Sequence, residues 1–228
     1  MKGALREALQ RARVDKVPVA LVTQLEGGAQ NLVYSSDQSN AEISLGSSQL
    51  EEIRDMLRVA RSGMLPGDEF FVRSYVPPYR LLIVGAVHIA QALSVMAAQC
   101  DYQVTVIDPR RAFATAERFQ GVELCAEWPD EAMARLLPDA QTAVVTLAHD
   151  PKIDDPALIA ALGSGAFYIG ALGSRRTHGK RLERLTDLGL EDQLQRINAP
   201  IGLKLGGRGH AEIAVSILAQ LIQARYGG

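Results

Sequence analysis

Several features that assign proteins to common functional classes are missing from this chain of 228 residues. Its two cysteines, Cys100 and Cys125, stand in no C-x-x-C arrangement and by themselves make no structural zinc site. No apolar run reaches the roughly 18 residues that a membrane span requires, and the N-terminus has the pattern of an amphipathic helix, not of a signal peptide. We therefore expect a cytoplasmic protein that binds no metal through its own ligands and spans no membrane.

An excess of charge of one sign is also missing. The 24 basic and 26 acidic residues give a formal net charge of −2, and the pI is near 6.1. Because there is no general basic surface, nucleic acid is not expected as a partner. The chain also has no serine nucleophile elbow, no P-loop and no metal-binding helix. Its chemistry must therefore be sought in the loops of its fold.

The most informative stretch, residues 80–113, combines two strand patterns with a helix pattern. An unbroken apolar run ends at Gly85, apolar residues then recur at helical spacing, and a second strand ends at Asp108. Asp108 follows Gly85 by 23 positions, close to the spacing in the dinucleotide-binding fingerprint, whose acidic residue binds a ribose hydroxyl. The stretch therefore predicts a strand-turn-helix-strand unit beside a ligand.

The turn itself departs from that fingerprint. The pattern G-x-G-x-x-G/A reads here Gly85-Ala86-Val87-His88-Ile89-Ala90, with Val87 in place of the middle glycine. A branched side chain at this position holds a pyrophosphate away from the backbone, which weakens the interpretation as an ordinary NAD site. The N-terminus of the following helix still favours an anion. The alternative is a turn that merely joins a strand to a helix.

Along the rest of the chain, strands alternate with helices. This alternation predicts an α/β fold, a Rossmann-like parallel sheet with helices on both faces. Further strands are predicted at 122–125, 142–147 and 167–172, a short helix at 112–119 and a long final helix at 211–226. That final helix is apolar nearly all round, so we expect it to be buried, either by self-association into a homodimer or under the N-terminal part of the chain.

The residues before Pro77-Pro78 follow a different pattern. They are predicted to form, in order, a helix at 2–14, a hairpin of strands at 18–23 and 31–35, a polar loop at 37–40, a second helix, and a strand at 70–76. The two prolines make a stiff break. We therefore expect two domains, a small N-terminal α+β module at 1–78 and the Rossmann-like domain at 79–228.

Polar residues are concentrated in the loops after four of the predicted strands of the larger domain. In such sheets ligands bind outside the carboxyl ends of the strands, so these loops form the candidate cofactor-binding site. Three of the four histidines fall in them, although each histidine alone is more typical of a surface residue. The candidate residues are Gly85, Val87 and His88; Asp108, Arg110 and Arg111; His149 and Asp150; and Gly173, Ser174, Arg175, Arg176 and His178.

The loop from Gly173 to His178 carries the strongest signal for an anion. A Gly-Ser turn enters a helix whose first residues include Arg175 and Arg176, and backbone amides, a hydroxyl and guanidinium groups together suit a phosphate. Arginines in the first turn of a helix oppose its dipole unless an anion is bound. The alternative is a capped helix with a solvated basic end.

Several stretches between Arg80 and Gln220 stand together in an order that resembles a known family. They are GAVHIAQAL at 85–93, VTVIDPRRAFATAERF at 104–119, HDPKIDDPAL at 149–158, FYIGALGSRRTHGKRLERL at 167–185, RINAPIGLKLGG at 196–207 and AEIAVSILA at 211–219. With them the chain resembles the XdhC/CoxI family, accessory proteins for xanthine dehydrogenase and related molybdenum hydroxylases. The resemblance implies a Rossmann-like domain that binds molybdenum cofactor (molybdopterin), supports its sulfuration with a cysteine desulfurase, and delivers it to a molybdenum hydroxylase.

The chain departs from this family at several positions. Many members have G-A-G-H where Val87 stands here, Asp in place of Lys204, and a T-P segment in place of Gly209-His210. Fuller members carry a G-S-S-P-R-P-type loop and a G-G-C motif that residues 1–79 lack. The chain is therefore similar to a short form, which implies a separate partner chain of the family's N-terminal type.

Three functions stay open on the sequence. The leading hypothesis is a non-catalytic maturation factor that holds the phosphate-bearing pterin of molybdenum cofactor. The second is an NAD(P)-dependent oxidoreductase that uses the same cleft, against which Val87 and the lack of a Tyr-x-x-x-Lys pair both count. The third is an interaction scaffold that keeps the fold without a ligand.

Overall fold

The computed structural model describes residues 3–35, 38–39 and 43–227. The chain forms two compact units, residues 1–77 and residues 78–228. No helix in the described part of the chain is both long enough and apolar enough to cross a membrane.

The first unit is an antiparallel sheet with two helices. Its elements are α1 (Gly3–Val14), β1 (Val19–Gln24), β2 (Gln30–Tyr34), β3 (Gln38–Ser39), α2 (Ser47–Arg58), β4 (Gly63–Met64) and β5 (Phe70–Tyr75), with strand order β3-β2-β1-β5-β4. The predicted hairpin is confirmed, since β1 pairs antiparallel with β2. The predicted polar loop at 37–40 is wrong at Gln38 and Ser39, which form β3, whereas residues 37 and 40 lie outside the described residues.

Both faces of this sheet are packed against a helix, because successive side chains along its strands point to opposite faces. Val22 and Val72 lie in one apolar cluster with Ile53 of α2. Val19 and Leu32 lie in a second cluster, with Leu9 of α1. Because successive side chains of a strand point to opposite faces, each helix covers one face of the sheet.

The second unit is a parallel sheet with helices on both faces, and it confirms the predicted Rossmann-like α/β fold. Its elements are β6 (Arg80–Val84), α3 (His88–Gln99), β7 (Gln103–Ile107), β8 (Glu123–Cys125), α4 (Pro129–Leu136), β9 (Thr142–Thr146), α5 (Pro151–Leu162), β10 (Tyr168–Ala171), α6 (Arg175–Thr186), a 3-10 helix (Glu191–Arg196), β11 (Ile197–Asn198) and α7 (His210–Arg225). All neighbouring strands pair in parallel, in the order β11-β10-β9-β6-β7-β8.

The strand order places a point of reversal between β6 and β9. From β6 the chain builds outwards through β7 and β8, then returns to the other side of β6 and builds outwards again from β9. Read from one edge, this is the 3-2-1-4-5-6 order of dinucleotide-binding folds, in which ligands bind at the reversal. Helices α3 and α7 cover one face of this sheet, and α4, α5 and α6 cover the other.

The helix predicted at 112–119 is wrong, because these residues form turns. Phe119 is 2% exposed and belongs to the core on the α3 face. Side chains satisfy the backbone here: Arg118 Nη1 donates to the carbonyl of Phe113, and Gln91 Nε2 donates to the carbonyl of Arg118. Besides β3, two further strands were missed, β4 and β11, and each of the three has only two residues, which is too short to leave a periodic signal.

The final helix, α7, is buried largely within its own unit. Ala214, Ile217 and Leu221 are fully buried in the cluster that also contains α3. Its polar residues serve this packing, since Gln220 Oε1 accepts hydrogen bonds from the Tyr168 hydroxyl at 2.6 Å and from the backbone N–H of Gly202 at 2.7 Å. The helix therefore needs no second copy to bury its apolar side, and the homodimer stays a prediction.

Gly85 ends β6 in a conformation that suits only glycine. Its φ is +105°, and a Cβ built on it would lie 2.6 Å from the backbone nitrogen of Ala148, just after β9. A side chain at this position would thus meet the neighbouring strand end as well as the strain of a positive φ. The glycine keeps the turn after β6 against the end of β9, at the point of strand reversal.

We predict that Gly85→Ala destabilises the second unit by about 3 kcal/mol or more, because backbone strain of about 1–2 kcal/mol and overpacking of about 1–3 kcal/mol act together. Urea unfolding, followed by the fluorescence of the single tryptophan, Trp128, measures this change. Gly163→Ala is the matched control, since φ at Gly163 is −73° and the nearest atom to its new Cβ would lie 3.7 Å away. Equal unfolding midpoints for the two variants would contradict the argument.

Candidate functional site

The candidate site lies at the carboxyl edge of the parallel sheet. The structure places the predicted residues after β6, β7, β9 and β10, on loops or in the first turns of the helices that follow. Gly85, Val87 and His88 follow β6, and Asp108, Arg110 and Arg111 follow β7. His149 and Asp150 follow β9, and Gly173, Ser174, Arg175, Arg176 and His178 follow β10.

Asp108 is fully buried and its carboxylate is already engaged. Oδ2 accepts a hydrogen bond from the backbone N–H of Ala86 at 2.8 Å, and Oδ1 accepts one from the backbone N–H of Arg110 at 3.0 Å. The Arg110 guanidinium closes over the same carboxylate, with Nε at 2.9 Å from Oδ1 and Nη2 at 2.8 Å from Oδ2. A ribose hydroxyl would have to displace Arg110 to reach this carboxylate.

The protonation of Asp108 agrees with that geometry. Burial alone raises the pKa of the Asp108 carboxyl, but the hydrogen bonds from Arg110 and from the backbone of Ala86 outweigh burial and hold the pKa below its ordinary value. Asp108 is therefore ionised, and its carboxylate links the end of β7 to the turn after β6. The Asp108 carboxylate, the sequence feature that most favoured a dinucleotide, is thus bound by groups of the protein itself.

Two helix N-termini meet where Val87 and His88 lie. Val87 is the N-terminal cap of α3, and its side chain makes no capping hydrogen bond. The backbone N–H groups of the first turn of α3 therefore receive no capping acceptor from it. The His88 ring stacks on the ring of His210, the first residue of α7, with centroids 5.2 Å apart and planes 20° apart. His210 is 122 positions further along the chain, and no local pattern indicates this pairing.

The loop after β9 is held by a carboxylate that the sequence reasoning missed. Asp154 Oδ1 accepts the backbone N–H of Ala148 and Oδ2 accepts the backbone N–H of His149, both at 3.1 Å. His149 adopts a positive φ of 62° and its side chain is exposed. Asp150 caps α5, because its side chain accepts the backbone N–H of Lys152 at 3.0 Å. In this loop the His149 side chain is thus free to meet a ligand at the surface, whereas the Asp150 side chain caps α5.

The loop after β10 turns directly into α6. Gly173 has a φ of +144°, and the hydroxyl of Ser174 caps the helix by accepting the backbone N–H of Thr177 at 3.2 Å. Arg175 and Arg176 are exposed, and neither has an ion-pair partner among the described residues. His178 lies within α6, and its Nδ1 is buried without a hydrogen-bond partner in the described part of the chain. Burial, and in addition the charge of the nearby Arg181, lower the pKa of His178.

The second residue missed by sequence reasoning is Arg181, on α6. It is 2% exposed, and its Nη2 donates to the carbonyl of Leu172 at 3.0 Å and lies 3.7 Å from Asp154 Oδ2. Burial lowers the pKa of Arg181, although the charge of Asp154 opposes this. Arg181 and Asp154 therefore join the loops after β9 and β10 from beneath, through α5 and α6.

A signal for both missed residues was available in the sequence. Arg181 precedes the buried Leu185 by four positions, and Asp154 precedes the buried Leu158 by four. Residues four apart share one face of a helix, so both charges lie on the apolar faces of their helices. A charged residue on such a face is almost always paired.

The structure brings some of the four predicted loops close together, but not all of the predicted residues. A pocket beside α5 and α6 includes His149 and Arg176 of the predicted set. The hydrogen bond to Asp108 is the main cause that raises the pKa of Arg110, and the charge of Asp150 adds to it, so the loops after β7 and β9 lie within electrostatic reach of each other. Arg111 is exposed and has no partner in the described part of the chain.

Together the strand order and the polar edge define a Rossmann-like domain in which Arg110 and Ala86 already bind the carboxylate expected to meet a ribose. Residues 81–221 match the family model described as the XdhC Rossmann domain, and the chain belongs to this family. The resemblance found in the sequence is confirmed.

Two curated relatives match the same part of the chain. The molybdenum cofactor insertion chaperone PaoD of Escherichia coli is 33% identical over 156 residues, which are 68% of this chain and 43% of the relative. A probable xanthine dehydrogenase subunit of Bacillus subtilis is 30% identical over 156 residues, 68% of this chain and 46% of the relative. The chain thus spans less than half the length of these relatives.

A solved structure extends the likeness to the whole fold. The crystal structure of a Bacillus halodurans protein described as a xanthine dehydrogenase matches with a TM-score of 0.69 at 24% identity, over 98% of this chain and 68% of that one. At this identity the likeness shows the fold alone.

We predict that Asp154 contributes to the pH dependence of stability. Burial raises the pKa of its carboxyl from 3.8 to about 6, although the amides of Ala148 and His149 and the charge of Arg181 act in the opposite direction. The folded state therefore holds this proton more tightly than the unfolded state does. The stability due to it is present at low pH and is lost as the pH rises through about 6.

The free energy of unfolding of Asp154→Asn should consequently fall less steeply between pH 4 and pH 6, by up to about 1.4 kcal/mol per pH unit. Urea unfolding at a series of pH values measures both slopes, and a carbon-13 titration of the Asp154 carboxyl measures its pKa directly. Identical slopes for the wild type and the variant would show that this carboxylate titrates alike in both states.

Proposed function

We propose that this chain is a non-catalytic maturation factor for a xanthine dehydrogenase-type molybdenum hydroxylase. In this role it binds molybdenum cofactor at the carboxyl edge of its parallel sheet and assists the sulfuration and insertion of the cofactor. The names of the two relatives, a molybdenum cofactor insertion chaperone and a probable xanthine dehydrogenase subunit, support this role.

The observation that carries the proposal is the anion-suited turn at the start of α6. Arg175 and Arg176 are exposed, have no ion-pair partner among the residues that the structure describes, and lie in the first turn of the helix, where positive charge is unfavourable without an anion. The pterin of molybdenum cofactor bears a phosphate that such a turn can bind through backbone amides and guanidinium groups. Its ring system would then lie along the edge, towards His149 and the paired rings of His88 and His210.

The alternative, an NAD(P)-dependent oxidoreductase, is less favoured by the geometry. Asp108 is the residue that would bind the ribose, and all of its close contacts are taken by Ala86 and Arg110. Val87 stands where the pyrophosphate needs a glycine. Neither feature opposes a ligand that lacks a ribose beside Asp108.

The proposal also assigns partners. Sulfuration requires a sulfur donor, for which we propose a cysteine desulfurase, and insertion requires the molybdenum hydroxylase itself. The family's N-terminal motifs are missing from residues 1–79, so a separate chain of that type is proposed to act with this one. A homodimer is proposed from the exposed Val215 and Ile222 of α7, and sedimentation as a monomer at micromolar concentration would remove it.

The test is a side-by-side titration of the purified protein with molybdenum cofactor and with NADH. We expect saturable binding of the cofactor and weak or no binding of NADH. Tight NADH binding without cofactor binding would overturn the proposal.

The double variant Arg175→Ala/Arg176→Ala tests the turn. A charge-assisted hydrogen bond contributes about 1.5–3 kcal/mol, so cofactor affinity should fall about tenfold or more for each arginine that contacts the phosphate. The melting temperature should stay the same or rise slightly, because two charges that oppose the helix dipole are gone.

The matched control is Arg6→Ala/Arg11→Ala, which removes the same charge from exposed positions on α1. Unchanged cofactor affinity in the α6 variant, or an equal loss in the α1 variant, would show that the turn is not the anion site.

A further inference from the structure

A small pocket of about 190 Å³ lies between α5 and α6 and shares Arg176 and Thr177 with the turn at the start of α6. Cavities that enclose whole cofactors are about 300–1,000 Å³, so this one is too small for a pterin cofactor. At about 30 Å³ for each water molecule, it has room for a phosphate group and a few waters. It is lined by His149, Pro151, Asp154, Asp155, Arg176, Thr177, Lys180, Arg181 and Arg184.

Arg181 gives this pocket a buried donor with unused capacity. Its Nη2 is committed to the carbonyl of Leu172, but Nε and Nη1 have no hydrogen-bond partner among the described residues. The distance of 3.7 Å from Nη2 to Asp154 is too long for a hydrogen bond, so the ion pair leaves the guanidinium under-satisfied. A buried N–H group without a partner can be completed by a water, an ion or a ligand, and Arg181 is the buried arginine with such groups that also lines this pocket.

The charges around the pocket favour a dianion. Four cationic side chains, those of Arg176, Lys180, Arg181 and Arg184, surround two carboxylates. Arg184 neutralises Asp155 through two hydrogen bonds, from Nε at 2.5 Å and from Nη2 at 3.0 Å. The side chains of Arg176 and Lys180 have no ion-pair partner in the described part of the chain, which leaves two positive charges in excess.

We infer that this pocket is a phosphate-binding subsite that takes the terminal phosphate of a ligand lying along the adjacent edge of the sheet. The planar guanidinium of Arg181 supplies forked N–H donors, a geometry that matches two oxygens of a phosphate. Arg176 and Lys180 supply the balancing charge. The inference rests on the proposed function for the identity of the ligand, but its phosphate chemistry rests on the pocket alone.

The first experiment uses inorganic phosphate as the probe. The full chain, in a buffer free of phosphate and sulfate, is titrated by calorimetry and by amide chemical shifts. We expect saturable binding at millimolar phosphate, with the largest shifts in residues 149–155 and 174–184. The absence of saturable binding in this range would overturn the inference.

Lys180→Ala tests the pocket without disturbing the core, because Lys180 is exposed. Loss of this charge-assisted contact should weaken phosphate binding by about tenfold. Lys152→Ala is the matched control, since Lys152 is an exposed lysine in the first turn of α5 that does not line the pocket. An equal loss of affinity in both variants would indicate general electrostatics and overturn the subsite.

Arg181→Lys tests the forked donor, because it keeps the charge and removes the planar geometry. Phosphate affinity should fall about tenfold or more, with the cooperative unfolding transition preserved. If the substitution prevents folding, the Lys180→Ala and Lys152→Ala pair still decides the question. Wild-type phosphate affinity in a folded Arg181→Lys protein would overturn the assigned role of Arg181.

Competition separates a free phosphate from the phosphate of a larger ligand. If the pocket holds the cofactor's own phosphate, saturating inorganic phosphate should weaken cofactor binding in the wild type and have little effect in Lys180→Ala. Independent binding of the two would assign the pocket to free phosphate and overturn the terminal-group assignment. Pocket-dependent phosphate binding without any cofactor binding would instead contradict the proposed function and leave the phosphate subsite standing.

Discussion

The buried pair of Asp154 and Arg181 organises the carboxyl edge of the parallel sheet. Asp154 binds the two backbone amides that shape the loop after β9, and Arg181 binds the carbonyl of Leu172 at the end of β10. Gly85 in turn packs against Ala148, one of the residues that Asp154 holds. The loops after β9 and β10 thus depend directly on one pair of charges, and the turn after β6 lies against the first of them. Removing one partner of such a pair leaves an uncompensated buried charge, so the loops and the stability of the fold both depend on keeping the two together.

A second buried carboxylate, Asp108, shows how a dinucleotide-type fold can lose its usual ligand contact and keep its architecture. The acidic residue stands at the expected position, but its carboxylate accepts hydrogen bonds from the Arg110 guanidinium and from the backbone N–H of Ala86. The carboxylate here holds the turn after β6 through the backbone N–H of Ala86, whereas in a dinucleotide-binding site it would bind a ribose hydroxyl. Fold and ligand preference are therefore separable here, because the same strand end can present a carboxylate outwards or use it internally.

The charge distribution follows from this arrangement. The chain as a whole carries a formal charge of −2, yet cationic side chains collect around the start of α6. The two carboxylates there, Asp154 and Asp155, pair with Arg181 and Arg184, so the charges of Arg176 and Lys180 are the ones left to attract an incoming anion. A local cluster of this kind attracts phosphate-bearing ligands without a basic surface that would attract nucleic acid.

The sequence by itself determined the order of strands and helices in the larger unit, the glycine turns and the four polar loops, because apolar periodicity and turn residues act over a few neighbouring positions. It failed at 112–119, where the chain forms turns and the side chains of Arg118 and of the distant Gln91 donate hydrogen bonds to backbone carbonyls. Only the tertiary structure decided that Asp108 is occupied, that His88 stacks on His210, and that Asp154 and Arg181 face each other. The ring pair and the charge pair join groups far apart in sequence, and the bonding of Asp108 depends on its burial, on the distant Ala86 and on the side-chain conformation of Arg110, none of which a local pattern contains.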